Sequence, residues 1–166
     1  FDFVAREAFG MAEIGTALFV PIEATEMTGS GSCGVSEPFR ECRIADEDGK
    51  ELPAGAVGEL IVRGPGILQG YYNNPEATAK AFHGDWFRTG DLFRQDERGY
   101  FYIVGRVKDM IRRSGENIAA REVEDVVLRI PGVFEAACVP VPDAGRGEEI
   151  KLLVVLKPEI SKKELT

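Results

Sequence analysis

Three short segments of the chain hold side chains suited to a nucleotide and its metal. In "FGMAE" (9–13), the flat ring of Phe9 stands beside Gly10, where a planar base can stack against bare backbone. Glu13 closes that segment with hard oxygens of the kind magnesium takes. A core phenylalanine and a solvated glutamate would read the same way. In "WFRTGDLF" (86–93), Gly90 before Asp91 puts a carboxylate at a turn, at the mouth of a strand. There it can accept charge-assisted hydrogen bonds from two vicinal hydroxyls, as on a ribose. An aspartate satisfying its own turn is the plain alternative. In "GYFYIVGRVKDMIRRSGENI" (99–118), Arg106 follows a strand of aromatics, and its planar fork suits phosphate or sugar. Lys108 then falls at a seam where the character of the chain changes, and a residue at such a seam can absorb a hinge rotation. "RRSGEN" adds two arginines and a flexible turn, fit for an elongated anion or simply a solvated edge.

Strands and turns must aim these groups. Residues 40–64 read as strand, DG-type turn, Pro/Gly loop and strand, with alternation in "ELIVRG". "NPEATAKAF" (74–82) predicts one short helix, with Asn74 as cap and Pro75 at the first helical position. "DLFRQDERGYFYIVGR" predicts a second hairpin that turns at "DERG". After Lys108, "DMIRR" predicts a short strand. "AAREVEDVVLRI" then places Val123, Val126, Val127 and Ile130 on one helical stripe, stopped by Pro131-Gly132. "VFEAACVPV" and "EIKLLVVLKP" predict two further strands. Ser161 and Glu164 form an S-x-x-E capping box, the start signal of a helix, so the polypeptide is expected to be a piece of something longer.

At 166 residues, with 44% hydrophobic and 29% charged content, the chain suits one ordinary globular domain or two small ones. A formal charge of −8 argues against a nucleic-acid backbone as partner. No apolar run approaches a membrane span, and the start shows no signal-peptide pattern, so a cytoplasmic location is expected. Cys33, Cys42 and Cys138 are widely spaced, and His83 is the single histidine. That set reads as reduced thiols and a surface imidazole, and it disfavours a zinc site or a Ser-His-Asp triad. "GSGSCG" (29–34) matches the dinucleotide pattern G-x-G-x-x-G, but Pro38 interrupts any helix after it, so it reads as a glycine-rich surface loop.

Taken in order, "FGMAE", "GELIVRGPGILQGYYNNPEAT", "GDWFRTGDL", "GYFYIVGRVKDMIRRSGENIAAREVE" and "VPVPDAGRGEEIKLLVVL" resemble the adenylate-forming superfamily. Within it they resemble the AMP-forming acyl-CoA synthetases, which include the fatty-acid–CoA ligases. The resemblance runs along nearly the whole chain but covers only the later part of a family member. It implies an α+β fold: a distorted β-barrel subdomain over about 20–106 that closes a large AMP-binding domain (1–107 here), then the first part of a mobile lid (108–166). The cofactors and substrates it implies are ATP/AMP, Mg2+, coenzyme A and a small carboxylic acid.

The same resemblance implies residue roles. Phe9, where the family usually has Tyr, would stack on adenine, with Gly10 and Ala12 beside the nucleotide and Glu13 on magnesium. Asp91 would bind the ribose hydroxyls, and Arg106 ribose or phosphate. Lys108 would be the hinge between two catalytic arrangements. Ser114, Gly115 and Glu116 would line the pantetheine tunnel. Ala12 departs from the family's usual Thr, which should weaken phosphate handling. The phosphate loop would lie upstream and the catalytic lysine beyond Thr166, Lys162 and Lys163 being too early, so this stretch by itself is expected not to catalyse adenylation.

Three functions fit these expectations: a CoA ligase, a domain that loads a carrier protein (or a luciferase-like oxidase), and a non-catalytic nucleotide-binding or interaction module. Residues 1–19 would end a larger missing domain, leaving "FDFV" exposed or partner-bound, and the isolated chain is expected to be marginal or to associate with itself.

Overall fold

The computed structural model describes residues 4–158. The Phe1–Phe3 start and the Ser161–Glu164 capping box lie outside the described residues. The chain divides between Ile103 and Val104 into two compact units, each with its own antiparallel sheet work and, among the described residues, one short α-helix. No helix among the described residues is long and apolar enough to cross a membrane.

In the first unit, β1 (Ala8–Met11), β2 (Gly15–Phe19) and β3 (Val35–Ser36) form one sheet in that order. The larger sheet runs β4 (Glu41–Ala45), β5 (Val57–Arg63), β7 (Trp86–Gln95), β6 (Phe82–His83), and β8 (Phe101–Arg106), of which Phe101–Ile103 belong to this unit, also pairs with β7. The cores of the central strands explain the arrangement. Leu60 and Val62 of β5, Phe87 and Phe93 of β7, and Phe101 of β8 pack with Ile14 and Leu18 into one fully buried cluster. Each such side chain contributes roughly 1.5–3 kcal/mol on leaving water. The helix α1 (Pro75–Lys80) starts as the sequence predicts, with Asn74 Oδ1 accepting from the Ala77 N–H at 3.0 Å and Pro75 in the first turn.

The barrel expectation needs correcting in one respect. A single bridge joins the two sheets, Gly34 opposite Phe101, and no strand pairing among the described residues closes them into a barrel. The bridge explains part of "GSGSCG". Gly34 has φ +93°, and a Cβ there would lie 1.8 Å from the Phe19 carbonyl oxygen. The Ser32 hydroxyl is fully buried and donates to the Phe101 carbonyl at 2.9 Å. The segment is a loop with no helix after it, as read, but only its first residues lie at the surface; the rest is an interior tether.

In the second unit, β9 (Met110–Arg113), β10 (Glu116–Ala119), the helix α2 (Ala120–Leu128), β11 (Val133–Asp143) and β12 (Gly147–Leu156) form a sheet in the order β10-β9-β12-β11 with α2 packed against β11. Its buried cluster is small: Ile111, Ala120 and Cys138, with Val123, Ile118 and Ile150 half-buried around them. The helical stripe differs from the predicted one, because Val126 is 63% exposed and Ile130 lies beyond the helix. The inward face is set by Ala120 and Val123 meeting Cys138. Alternate residues of β12, Leu153 and Val155, are each half exposed.

Candidate functional site

The β1–β2 turn presents the first candidate group. β1 and β2 pair with a register shift at Phe9/Gly10, and the turn is closed by the Ile14 N–H donating to the Met11 carbonyl at 3.1 Å. Gly10 is required by close approach: a Cβ there would sit 2.5 Å from the Gly15 carbonyl oxygen. Phe9 is half-buried, and its ring meets the Phe93 ring edge-on, centroids 4.9 Å apart at 71°. Ala12 is exposed at the tip. Glu13 is half-buried and gripped from the loop that follows β5. The Tyr71 hydroxyl donates to Glu13 Oε1 at 3.1 Å, and the Leu68 N–H donates to the Glu13 backbone carbonyl at 2.7 Å. Burial first, and the Glu13 carboxylate second, hold the Tyr71 phenol above its usual range, so it stays a donor.

Asp91 is not at a strand mouth but inside β7, and it is 5% exposed. Arg88 stands opposite Ile61 and Leu92 opposite Glu59, so Thr89, Gly90 and Asp91 face Leu60 alone in a bulge. Glu59 holds that bulge. One of its oxygens accepts from the Gly90 N–H at 2.9 Å, and the other accepts from Arg88 Nε and Nη2 at 2.9 and 2.7 Å. The Thr89 hydroxyl donates to the Leu60 carbonyl at 2.7 Å and accepts from the Asp91 N–H at 3.1 Å. Asp91 and Phe93 are two residues apart and share a face of the strand. The Phe9–Phe93 contact therefore joins the β1–β2 turn to the Asp91 strand within one unit.

The other candidates belong to the second unit. Arg106 is exposed at the end of β8, and Lys108 is exposed in the 3-10 turn Val107–Asp109 that leads into β9. Ser114 and Gly115 connect β9 to β10 with φ +52° and +86°, a two-residue hairpin turn, and Glu116 follows it, exposed. Arg113 is engaged: its Nε donates to Glu149 Oε1 at 2.6 Å, and Arg146 holds the other Glu149 oxygen at 2.5 Å.

The described side chains also narrow the metal and nucleophile chemistry. No group of three or more His, Cys, Asp or Glu side chains among the described residues can hold a metal. A lone carboxylate such as Glu13 suits the way magnesium binds, through one or two carboxylates plus substrate phosphates, and does not suit an all-protein cage. No disulfide joins the three cysteines. Burial pushes the Cys42 and Cys138 thiols up, away from nucleophilic thiolate. His83 is exposed and lies against Gly49.

Three positioning residues escape sequence reasoning: Glu59, Arg88 and Tyr71. Glu59 sits at an alternating strand position that reads as solvent-facing, and the only hint is that a carboxylate stands between Gly58 and Leu60 in an otherwise apolar run. Tyr71 had no local signal, since its partner is 58 residues away.

The class of protein follows from comparison with known families. Residues 3–72 match the family described as "AMP-binding enzyme", and residues 122–166 match "AMP-binding enzyme C-terminal domain". The chain belongs to the adenylate-forming AMP-binding enzymes. It is 44% identical over 153 residues to sulfoacetate–CoA ligase of Cupriavidus necator, covering 91% of this chain and 30% of that one. It is equally 44% identical over 137 residues to long-chain-fatty-acid–CoA ligase of Escherichia coli, covering 82% of this chain and 24% of that one. Among solved structures, o-succinylbenzoate–CoA synthetase of Bacillus subtilis with its acyl-adenylate superposes with TM-score 0.84 at 33% identity, covering 99% of this chain and 34% of that one. The chain spans less than a third of the length of these two curated relatives.

Proposed function

We propose that this chain is the nucleotide-gripping later part of an AMP-forming acyl-CoA ligase. In the first step a carboxylate oxygen of the acid attacks the α-phosphorus of ATP, and pyrophosphate leaves. In the second, the CoA thiol attacks the acyl carbon, and AMP leaves. The observation that carries the reading is the junction of the β1–β2 turn with the β7 bulge through Phe9 and Phe93. Phe9 stacks on adenine beside Gly10, Ala12 borders the phosphates, and Asp91 accepts from the ribose diol. A carboxylate with so little solvent around it is a stronger acceptor for a diol than an exposed one.

Glu13 would hold Mg2+, which would supply charge neutralisation for the anionic phosphoryl transition state. Arg106 donates to ribose or phosphate. Lys108 is the hinge, a role supported by its place in a short turn between strands, five residues after the division between the two units. Ser114, Gly115 and Glu116 form the turn along which the pantetheine arm of CoA passes. The enzyme works in the cytoplasm, and the phosphate loop and the catalytic lysine come from flanking sequence.

Relatives of equal identity are ligases of sulfoacetate and of long-chain fatty acids, so the test runs across acid classes. The test is carboxylate-dependent ATP–pyrophosphate exchange by the chain together with the flanking sequence its gene supplies, across short, medium, long and aryl acids. Exchange with one class, followed by a CoA thioester, is the expected outcome. Exchange followed by transfer to a carrier protein and not to CoA would point to the carrier-loading reading. A folded product that binds AMP but exchanges with no acid would overturn the ligase.

A further inference from the structure

"GYYNNPEAT" (70–78) belongs to no step of the reaction just described, yet the fold devotes a chain of hydrogen bonds to it. Asn74 caps α1 through the Ala77 N–H at 3.0 Å, and its backbone N–H donates to the Tyr71 carbonyl at 3.2 Å. One turn into the helix, the Thr78 hydroxyl does two jobs: it donates to the Asn74 carbonyl at 2.9 Å and accepts the Tyr71 backbone N–H at 2.9 Å. Gly70 lets the loop come close, since a Cβ there would lie 3.0 Å from the Thr78 methyl. Tyr71 is thereby pinned at both its N–H and its carbonyl, and its phenol reaches across 58 residues of sequence to Glu13 Oε1 at 3.1 Å. The neighbouring Leu68 N–H fixes the Glu13 backbone from the same loop. Tyr72, next in the chain, is 95% exposed against 37% for Tyr71, so the two neighbouring tyrosines are held differently.

We propose that Tyr71, oriented by Thr78 and the capped start of α1, is the positioning residue that presents Glu13 to the metal. The inference rests on Glu13 being the metal carboxylate. A phenol bonded to one carboxylate oxygen fixes the rotamer and leaves the second oxygen aimed at a cation; without it the side chain must be ordered when the metal arrives. Outer partners of this kind typically change metal affinity or activity about 10–100-fold when removed. Tyr71 does not touch the reacting atoms, so its loss acts through the metal and not through the acid or CoA.

The experiment uses the full gene product and measures Mn2+ binding in the presence of ATP, by water-proton relaxation, alongside the Mg2+ dependence of ATP–pyrophosphate exchange. Tyr71→Phe is expected to weaken Mn2+ binding about tenfold and to raise the Mg2+ requirement in parallel, with KM for the acid unchanged. Thr78→Val, which keeps shape and loses the hydroxyl, should move the same way by less, and Thr78→Ser should restore wild-type behaviour. Glu13→Gln separates the two ideas. If Glu13→Gln abolishes metal binding while both Tyr71→Phe and Thr78→Val leave it intact, the positioning role is overturned and the metal reading stands. If Glu13→Gln also binds normally, both fall. A uniform drop in thermal stability of the metal-free protein with unchanged Mn2+ affinity would mark Tyr71 as structural only and overturn the proposal as well.

Discussion

The two units are built from the same material, antiparallel strands with one short helix, but they bury it differently. The first seals three phenylalanines, Phe87, Phe93 and Phe101, to 1% exposure or less. Among the described residues, the second has one fully buried large side chain, Ile111, and leaves Leu153 and Val155 half exposed on β12. The candidate residues follow the same division. Those of the first unit stand on a bulge held by buried and half-buried hydrogen bonds and on a turn tied to the loop after β5, whereas Arg106, Lys108, Ser114 and Glu116 are exposed on short connections. A site that must hold a nucleotide in one geometry gains from the first kind of support. A segment that must act in more than one arrangement gains from the second, because locally unstable elements are the ones that move.

The largest test of this contrast is Phe93→Ala. Removing a fully buried phenylalanine should cost the first unit about 3–5 kcal/mol, and it also deletes the ring that meets Phe9. Trp86 is the single tryptophan and lies between the Arg43 and Arg63 guanidiniums, so its fluorescence reports unfolding of that unit. Cys138→Ala, in the small cluster of the second unit, should leave the Trp86 urea transition in place. If both variants shift it equally, the units unfold as one block and the contrast breaks.

A smaller effect is expected from Glu59→Gln. The amide keeps the shape but replaces an ionised acceptor for Arg88 and the Gly90 N–H with a neutral one. Arg88 is one-third exposed and regains some solvent, so the cost should be about 1–2 kcal/mol. A cycle with Arg88→Gln checks it: additive losses would mean that the pair does not hold the bulge, and Asp91 would need another support.

How far the sequence reaches follows the same line of physics. Local signals survive folding: the Asn74-Pro75 helix start, the strand alternation, and the stop of α2 ahead of Pro131. Helical periodicity picks a stripe but not the element it faces, and so Val126, read as inward, ends at the surface because Ala120 and Val123 meet Cys138 instead. Asp91 was expected at a strand mouth, since the glycine before it signals a turn. The chain uses that glycine for a bulge, which Glu59 on the neighbouring strand, 31 residues away, makes tolerable. Partners at that separation leave no trace in local pattern. Resemblance in ordered motifs reached further than any single motif, because it carries pairings that periodicity omits.

The smallest expected effect is an acid one, and it sharpens what stabilises the second unit once its core is known to be small. Glu149 is held by Arg113 first, then by the Ile150 N–H and by Arg146, and its carboxyl falls from 4.5 to about 2. A carboxyl with a lower pKa in the folded state stabilises that state at pH above 4.5 and loses the contribution as pH falls from there through about 2. The pair is open to solvent, so the gain is modest and salt should shrink it. The first unit has a counterpart, Glu41, lowered by its hydrogen bond to Arg63, so acid sensitivity alone does not single out one unit. Glu149→Gln does: it should flatten the pH dependence of unfolding below 4.5 when followed by amide signals of β9 and β12, while Trp86 fluorescence keeps its own acid dependence. A Glu149 carboxyl that titrates near 4.5 by NMR would mean that Arg113 and Arg146 are not holding it, and would leave the hairpin ends of the second unit to backbone pairing and to the Glu148 and Asp143 carboxylates, which accept from backbone N–H groups there.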